Sequence, residues 1–146
     1  MLSNTCKYAI RAVLYLAMDE SENKVGIKKI SESLNMPSPF LGKILQVLAK
    51  HKILLSTKGP HGGFSLGKDP DSIRLIDIVR IIDGLDFFST CIIGVKICEG
   101  DKSKKEICPF HDQLDPLREA LQDQFTNLTI GTFKRNMETY EGIIAL

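Results

Sequence analysis

Three cysteines and a histidine fall within 21 residues of this 146-residue chain, at Cys91, Cys98, Cys108 and His111. Thiolate sulfur is a soft ligand suited to iron–sulfur clusters and zinc, and an imidazole nitrogen can complete a four-ligand set. The gaps of six and nine residues between the cysteines differ from the short C-x2–4-C pairs of most structural zinc sites. Zinc is therefore an open but unfavoured alternative, beside an iron–sulfur cluster and three unligated cysteines in a loop.

A second chemical feature is the basic, glycine-dense segment STKGPHGGFSLGK at residues 56–68. Short apolar runs flank it, and its glycines permit a tight reversal of the chain. The pattern predicts a hairpin of two short strands whose tip carries Lys58 and His61. Such a tip could cradle a phosphate, act as a nucleic-acid wing, or form a solvated loop.

Helical patterns precede this hairpin. Apolar stripes predict one helix near the N-terminus, with Ser3 or Asn4 as its cap, a short one from Ile27, and a third from Ser38. Ser38 is the predicted N-cap of the third helix, and Pro39 its first helical residue. The two short helices joined by a tight turn match a helix-turn-helix, and the hairpin that follows completes the order of a winged helix.

The charge distribution favours a polyanionic partner for the N-terminal half. Residues 1–68 have a net charge of +6, and residues 69–146 a net charge of −5. A recognition helix reads DNA through residues near its N-terminal end, and a basic wing contacts the backbone or minor groove. The alternative is an ordinary helical core with a solvated hairpin. The predicted DNA contacts are Lys28, Ser38, Pro39, Phe40, Lys43, Lys58 and His61.

The C-terminal half predicts a fourth helix at about residues 74–83 and a long helix from Pro109, which Pro116 should kink or restart. Leucines and a phenylalanine recur on the long helix at helical spacing, with too little chain after it to bury them within one subunit. They predict a two-fold dimer interface. The following TIGTFKRNM segment predicts a short terminal helix at most. The predicted interface residues are Leu114, Leu117, Leu121 and Phe125.

Several functional classes lack support in the sequence. No nucleophile–base pair, Walker loop or paired-carboxylate motif indicates an enzyme. No apolar run is long enough for a membrane span, and no signal peptide is visible, so a cytoplasmic protein is expected. Cys6 stands apart on the first helix, where a packing role is favoured over a ligand or redox role.

The chain resembles the Rrf-type family of bacterial winged-helix transcription regulators, which includes IscR-, NsrR- and CymR-like proteins. The resemblance rests on YAIRAVLYLA, on ISESLNMPSPFLGKILQVLAKHKILLSTKGPHGGFSL, on IRLIDIVRIIDG, and on CPFHDQLDPLREAL with TIGTF. It covers nearly the whole chain, and the wing segment is its most specific part. The implied fold is mainly α, a winged helix-turn-helix with a small β-hairpin wing and a long C-terminal dimerisation helix. Residues 1–84 would form the DNA-binding domain, 85–108 a cluster-binding loop, and 109–146 the dimerisation helix and tail.

The resemblance also implies a cofactor and partners. In cluster-binding members three cysteines hold an iron–sulfur cluster, and Cys91, Cys98 and Cys108 match them. His111 matches a histidine ligand, and the cluster is expected to be [2Fe–2S]. Lys7 stands where some nitric-oxide sensors have an acidic ligand, which favours His111 as the fourth ligand.

The predicted function is a homodimeric transcription regulator that binds a palindromic operator in double-stranded DNA. It would sense iron–sulfur status, redox state or nitric oxide through the cluster. Lys58 stands where the family usually has arginine, so an ammonium group replaces a guanidinium. The alternatives are a clusterless regulator that responds to thiol oxidation or a small ligand, and a winged-helix protein-interaction module.

Overall fold

The computed structural model describes residues 2–19, 24–89 and 111–139. Its two strands, β1 (Leu54–Thr57) and β2 (Gly63–Leu66), pair antiparallel, and a 3-10 turn spans Pro70–Ser72. This mainly helical architecture with one hairpin confirms the predicted fold class. Its helices are α1 (Asn4–Met18), α2 (Ile27–Ser33), α3 (Ser38–Lys50), α4 (Leu75–Ile82), α5 (Asp86–Ser89), α6 (His111–Asn127) and α7 (Ile130–Thr139).

The first helix is capped by Ser3, one of its two predicted caps. The Ser3 hydroxyl oxygen accepts a hydrogen bond from the Cys6 backbone N–H at 3.0 Å. The same hydroxyl donates to Asp83 Oδ1 at 2.5 Å, and the Ser3 backbone N–H donates to Asp83 Oδ2 at 2.8 Å. Asp83 is the C-cap residue of α4. Ser3 therefore caps the N-terminal end of α1 and also links it to the C-terminal end of α4.

Replacing Ser3 by alanine is expected to lower the free energy of unfolding by about 1–2 kcal/mol, because the N-cap bond and the contact with Asp83 are lost together. Urea denaturation of the two proteins measures this difference. Asn4→Ala is the matched control, since Asn4 is exposed and does not cap the helix. Equal losses in both variants would contradict the capping role of Ser3.

The turn between α2 and α3 is tight. Asn35 adopts a left-handed backbone conformation with φ of 51°, which ends α2. The N-cap of α3 is Pro37, so the prediction of Ser38 as N-cap is wrong. Ser38 is already helical, and its hydroxyl donates to Ser31 Oγ at 2.7 Å. Pro39 is the second helical residue, where its missing N–H still needs no partner.

One core joins both ends of the chain. Val13, Leu45 and Ile78 from α1, α3 and α4 belong to it, and Ile130 at the start of α7 is fully buried in the same cluster. The segment predicted as a short terminal helix at most is therefore a ten-residue helix that completes this core. Its position is fixed further by Arg135, whose two terminal nitrogens donate to the Asp71 carboxylate at 2.8 and 3.0 Å.

The long C-terminal helix α6 runs without a restart through Pro116. It packs on α4 and α5. In the sequence, the cysteine-bearing segment lies between α5 and α6. No helix within the described ranges is both long and apolar enough to cross a membrane.

Candidate nucleic-acid interface

The outward face of α3 is the first part of the candidate interface. Leu41, Leu45 and Leu48 are buried, because the apolar stripe of α3 faces the core. The other face is exposed and includes three residues predicted to contact DNA, Pro39, Phe40 and Lys43. The first turn of α3 is therefore open to solvent, as direct reading of base edges requires.

Ser38 differs from the other predicted contacts. Its side chain is half-buried and points back to α2, where its hydroxyl bonds to the nearly buried Ser31. A base contact through this hydroxyl would replace a hydrogen bond that helps to join α2 to α3. In this structure Ser38 therefore helps to orient α3 against α2 within the helix-turn-helix.

Phe40 takes part in an aromatic and cationic contact with α1. Its ring meets the Tyr8 ring edge to face, with centroids 6.1 Å apart and planes at 86°. The Arg11 guanidinium carbon lies 5.8 Å from the centroid of the same Tyr8 ring. We call Tyr8, Arg11 and Phe40 the aromatic bridge. It connects α1 to the exposed first turn of α3.

The wing has the predicted form, a two-stranded hairpin with a basic tip. Leu54 pairs with Leu66, and Thr57 pairs with Gly63 at the tip end. Of the three tip glycines only Gly59 has a positive φ, 111°, and the Gly62 backbone N–H donates to the Gly59 carbonyl at 2.9 Å. The hairpin exposes Lys58 and His61 together.

The wing is also anchored to the body of the domain. The backbone groups of Val25 and Phe64 exchange two hydrogen bonds of 2.9 Å, so the chain before α2 forms an additional bridge to β2. A Cβ atom on Gly63 would lie 2.5 Å from the Val25 carbonyl oxygen, which explains the glycine there. On the other side, Gln46 Nε2 of α3 donates to Ser56 Oγ of β1 at 3.5 Å.

The exposed lysines of α2 are not equivalent. Lys28, a predicted DNA contact, is exposed. Its neighbour Lys29 donates to Asp19 Oδ2 at 2.9 Å, and this hydrogen bond raises the pKa of Lys29. Lys29 therefore links α2 to the end of α1.

Cys91, Cys98 and Cys108 lie outside the described residues, as does the side chain of His111, the first residue of α6. The elements on either side of this segment are joined. The rings of Phe88 in α5 and Phe125 in α6 are 5.5 Å apart, and Arg118 Nη1 donates to the Ser89 carbonyl at 3.2 Å. The two helices that flank the cysteine-bearing segment in the sequence, α5 and α6, therefore pack against each other.

Cys6 lies close to this contact between α5 and α6. Its side chain is completely buried with Ile76, Val79 and Phe88. Burial, with a smaller contribution from the Asp83 carboxylate, raises the pKa of the Cys6 thiol to about 12. The thiol is therefore protonated at neutral pH, which fits the packing role expected for it and makes it a poor nucleophile or ligand. In the described parts of the chain no group of three or more His, Cys, Asp or Glu residues could hold a metal ion.

The predicted dimer face of α6 is unevenly covered. Leu117 is 65% exposed and Leu121 is 40% exposed, whereas Leu114 and Phe125 are half-buried. Phe125 packs against both apolar clusters of its own chain. The apolar surface that α6 presents to solvent is therefore concentrated at Leu117 and Leu121.

Sequence reasoning did not identify Tyr8, Arg11 or Gln46 as members of this surface. The only local signal for the first two is their spacing of three residues, which places them on one side of α1. Their proximity to Phe40 is a long-range contact that no local pattern indicates. Gln46 follows Lys43 by three residues on α3, a spacing that would have predicted a shared face.

A helix-turn-helix followed at once by a two-stranded wing defines a winged-helix DNA-binding protein. The model of the Rrf2 family, described as an iron-dependent transcriptional regulator, matches residues 2–136. The chain belongs to this family and is a transcriptional regulator, not an enzyme.

Individual proteins agree with this assignment. A protein of Aquifex aeolicus (strain VF5), provisionally named an HTH-type transcriptional regulator, is 32% identical over 130 residues, covering 89% of this chain and 88% of that protein. The HTH-type transcriptional regulator IscR of Klebsiella pneumoniae (strain 342) is 28% identical over 137 residues, covering 94% and 81%.

Solved structures show the same fold. CymR of B. subtilis, titled the global cysteine regulator, superposes with a TM-score of 0.75 at 22% identity, covering 93% of this chain and 97% of CymR. IscR of T. potens superposes with a TM-score of 0.74 at 20% identity, covering 99% and 93%.

Proposed function

We propose that this transcriptional regulator binds a palindromic operator as a homodimer and senses its signal through an iron–sulfur cluster. The observation that carries the DNA-binding part is the hydrogen bond from Gln46 of α3 to Ser56 of β1, the strand that leads to the basic wing tip, together with the exposed first turn of α3. The carboxyl groups that would repel phosphate are concentrated in the other half of the chain. Two such surfaces related by a two-fold axis would meet half-sites about one helical turn apart.

Each part of this surface has a separate role. Lys58 and His61 at the wing tip, with Lys28 on α2, would contact backbone phosphates and set the position of the protein. Pro39, Phe40 and Lys43 on α3 would face base edges in the major groove. Ser38 would hold α3 at its angle to α2 through Ser31.

Lys58→Ala tests the wing contact. Loss of one phosphate contact is expected to reduce the slope of log affinity against log salt by about one unit, on specific and random duplexes alike. Binding titrations at several salt concentrations measure the slope. Arg80→Gln is the matched control, because it removes one positive charge from α4, where Arg80 pairs with Asp77 at 3.3 Å.

An unchanged slope in Lys58→Ala would remove the wing from the interface. A wild-type protein without salt-dependent DNA affinity would support a protein-interaction module instead.

The cluster proposal has three supports. Cys91, Cys98 and Cys108 supply the soft thiolates that iron–sulfur clusters require, and His111 supplies an imidazole nitrogen. The Rrf2 family is described as an iron-dependent transcriptional regulator, and relatives of this chain carry the name IscR. A bound cluster supplies a centre whose oxidation state and ligation change with iron, oxygen or nitric oxide.

His111 gives this site a direct connection to the dimer. It is the first residue of α6, the helix that carries Leu117 and Leu121. A ligand at that position would hold the start of α6 in one orientation. Gain or loss of the cluster would then change the angle between the two recognition helices of the dimer.

The second candidate is sensing by thiol oxidation without a cluster, through the same three cysteines. It is favoured by the similarity of this fold to CymR of Staphylococcus aureus, of which one crystal structure is titled the oxidized form. An absorbance spectrum of anaerobically purified protein separates the two, since only a cluster gives visible charge-transfer bands. In neither case does the buried Cys6 thiol take part.

A further inference from the structure

Phe40 presents an aromatic ring to solvent at the end of α3 that the proposed function turns toward DNA. The residue is 41% exposed, although a ring of this size contributes most to stability when it is buried. In the major groove the only apolar group on a base edge is the C5-methyl of thymine. An apolar ring in this position can therefore contact the thymine methyl group, but it cannot form a hydrogen bond to a base edge.

Tyr8 restricts where the Phe40 ring can lie. The edge-to-face geometry at 6.1 Å and 86° is a preferred aromatic arrangement. Tyr8 is itself held in place, because its neighbours Ala9 and Ala12 on α1 are fully buried in the core. Tyr8 therefore bounds the Phe40 ring on its α1 side, and the other side of the ring faces solvent.

Arg11 adds a cation beside this apolar surface. Its guanidinium lies against the Tyr8 ring, at 5.8 Å from the ring centroid, and the side chain is half-exposed. An apolar ring flanked by a cation complements a groove in which a methyl group lies inside and phosphates line the rim.

We propose that the aromatic bridge is a thymine-reading unit. Phe40 contacts the C5-methyl of a thymine in each half-site, Tyr8 is the positioning residue that orients Phe40, and Arg11 contacts a phosphate at the rim of the same groove. This inference rests on the proposed DNA-binding function and assigns to α1 a part in sequence preference.

Replacement of thymine by uracil provides the test, because the two bases differ only by that methyl group. An operator is first selected from random duplex with the wild-type protein, and each thymine is then replaced singly. Wild type is expected to lose affinity about fourfold at one thymine in each half-site, the effect of burying one methyl-sized group. Phe40→Ala should bind the thymine and uracil duplexes equally.

Tyr8 variants separate positioning from general stability. Tyr8→Leu should reduce the thymine preference, whereas Tyr8→Phe, which keeps the ring, should retain it. Both should keep the wild-type salt slope, and Arg11→Gln should reduce that slope by about one unit. A purely structural role of Tyr8 would instead lower the melting temperature and leave the thymine-to-uracil ratio unchanged.

The outcomes distinguish this inference from the function on which it rests. If the wild-type protein binds its operator but tolerates every uracil, the thymine-reading unit does not exist, while DNA binding stands. The same conclusion follows if Phe40→Ala retains the thymine preference. If the wild-type protein selects no sequence at all, the proposed function itself fails. The uracil series on wild type needs no variant to fold.

Discussion

Alanine at Cys91, Cys98 or Cys108 is expected to abolish the iron and acid-labile sulfide of the anaerobically purified protein, or to reduce them at least tenfold. In the proposed cluster site each thiolate would supply one ligand, and an alanine methyl group cannot coordinate iron. Iron and sulfide assays on the same preparations measure the loss, and the visible absorbance should disappear with it. His111→Ala should weaken incorporation less than any cysteine change, because the three thiolates remain.

The matched control is Cys6→Ala. Cys6 is buried among apolar residues, and its thiol remains protonated at neutral pH because its pKa is raised to about 12. The variant should retain full iron and sulfide while losing some stability. A colourless wild-type preparation that takes up no iron on reconstitution would reject the cluster and leave DNA binding untouched.

The second large effect is expected at the dimer face. Leu121→Asp should convert the proposed homodimer to monomer at micromolar concentration, because a two-fold interface contains each residue once from each subunit and would bury two unpaired carboxylates. Light scattering or sedimentation measures the mass. Operator affinity should fall by more than tenfold, since a monomer contacts one half-site.

Asn127→Asp is the control for this substitution. It adds the same charge at the exposed last residue of α6, about 120° around the helix from Leu121. The control should remain dimeric with wild-type affinity. A wild-type protein that is monomeric at micromolar concentration would contradict the dimer face, and monomers in both variants would contradict its location at Leu121.

The features that the sequence predicted well are the local ones. The stripes of Val13, Leu45 and Ile78 and the glycine-dense tip each follow from residues within one or two turns of the chain. The predicted start of α1 was correct for the same reason, because Ser3 caps the backbone of its own helix. Ser38 was the exception, since its hydroxyl bonds to Ser31 instead of the helix end.

The features that the sequence did not predict depend on distant partners. α7 exceeds its weak local pattern because Ile130 enters the core of α1 and Arg135 pairs with Asp71. The aromatic bridge joins α1 to α3, and neither Tyr8 nor Arg11 carries a local mark of this contact. Spacing also could not distinguish Phe125, which packs within its own chain, from the more exposed Leu117.

The burial of Ile130 with residues of α1 has a consequence for how the protein is made. A ribosome produces α1 well before α7, and contacts between such distant segments form slowly. Part of the apolar side of α1 therefore stays uncovered until α7 has emerged. A nascent fragment that already contains the helix-turn-helix and the wing therefore lacks its finished core, and competence to bind an operator should appear only after α7 has been synthesised.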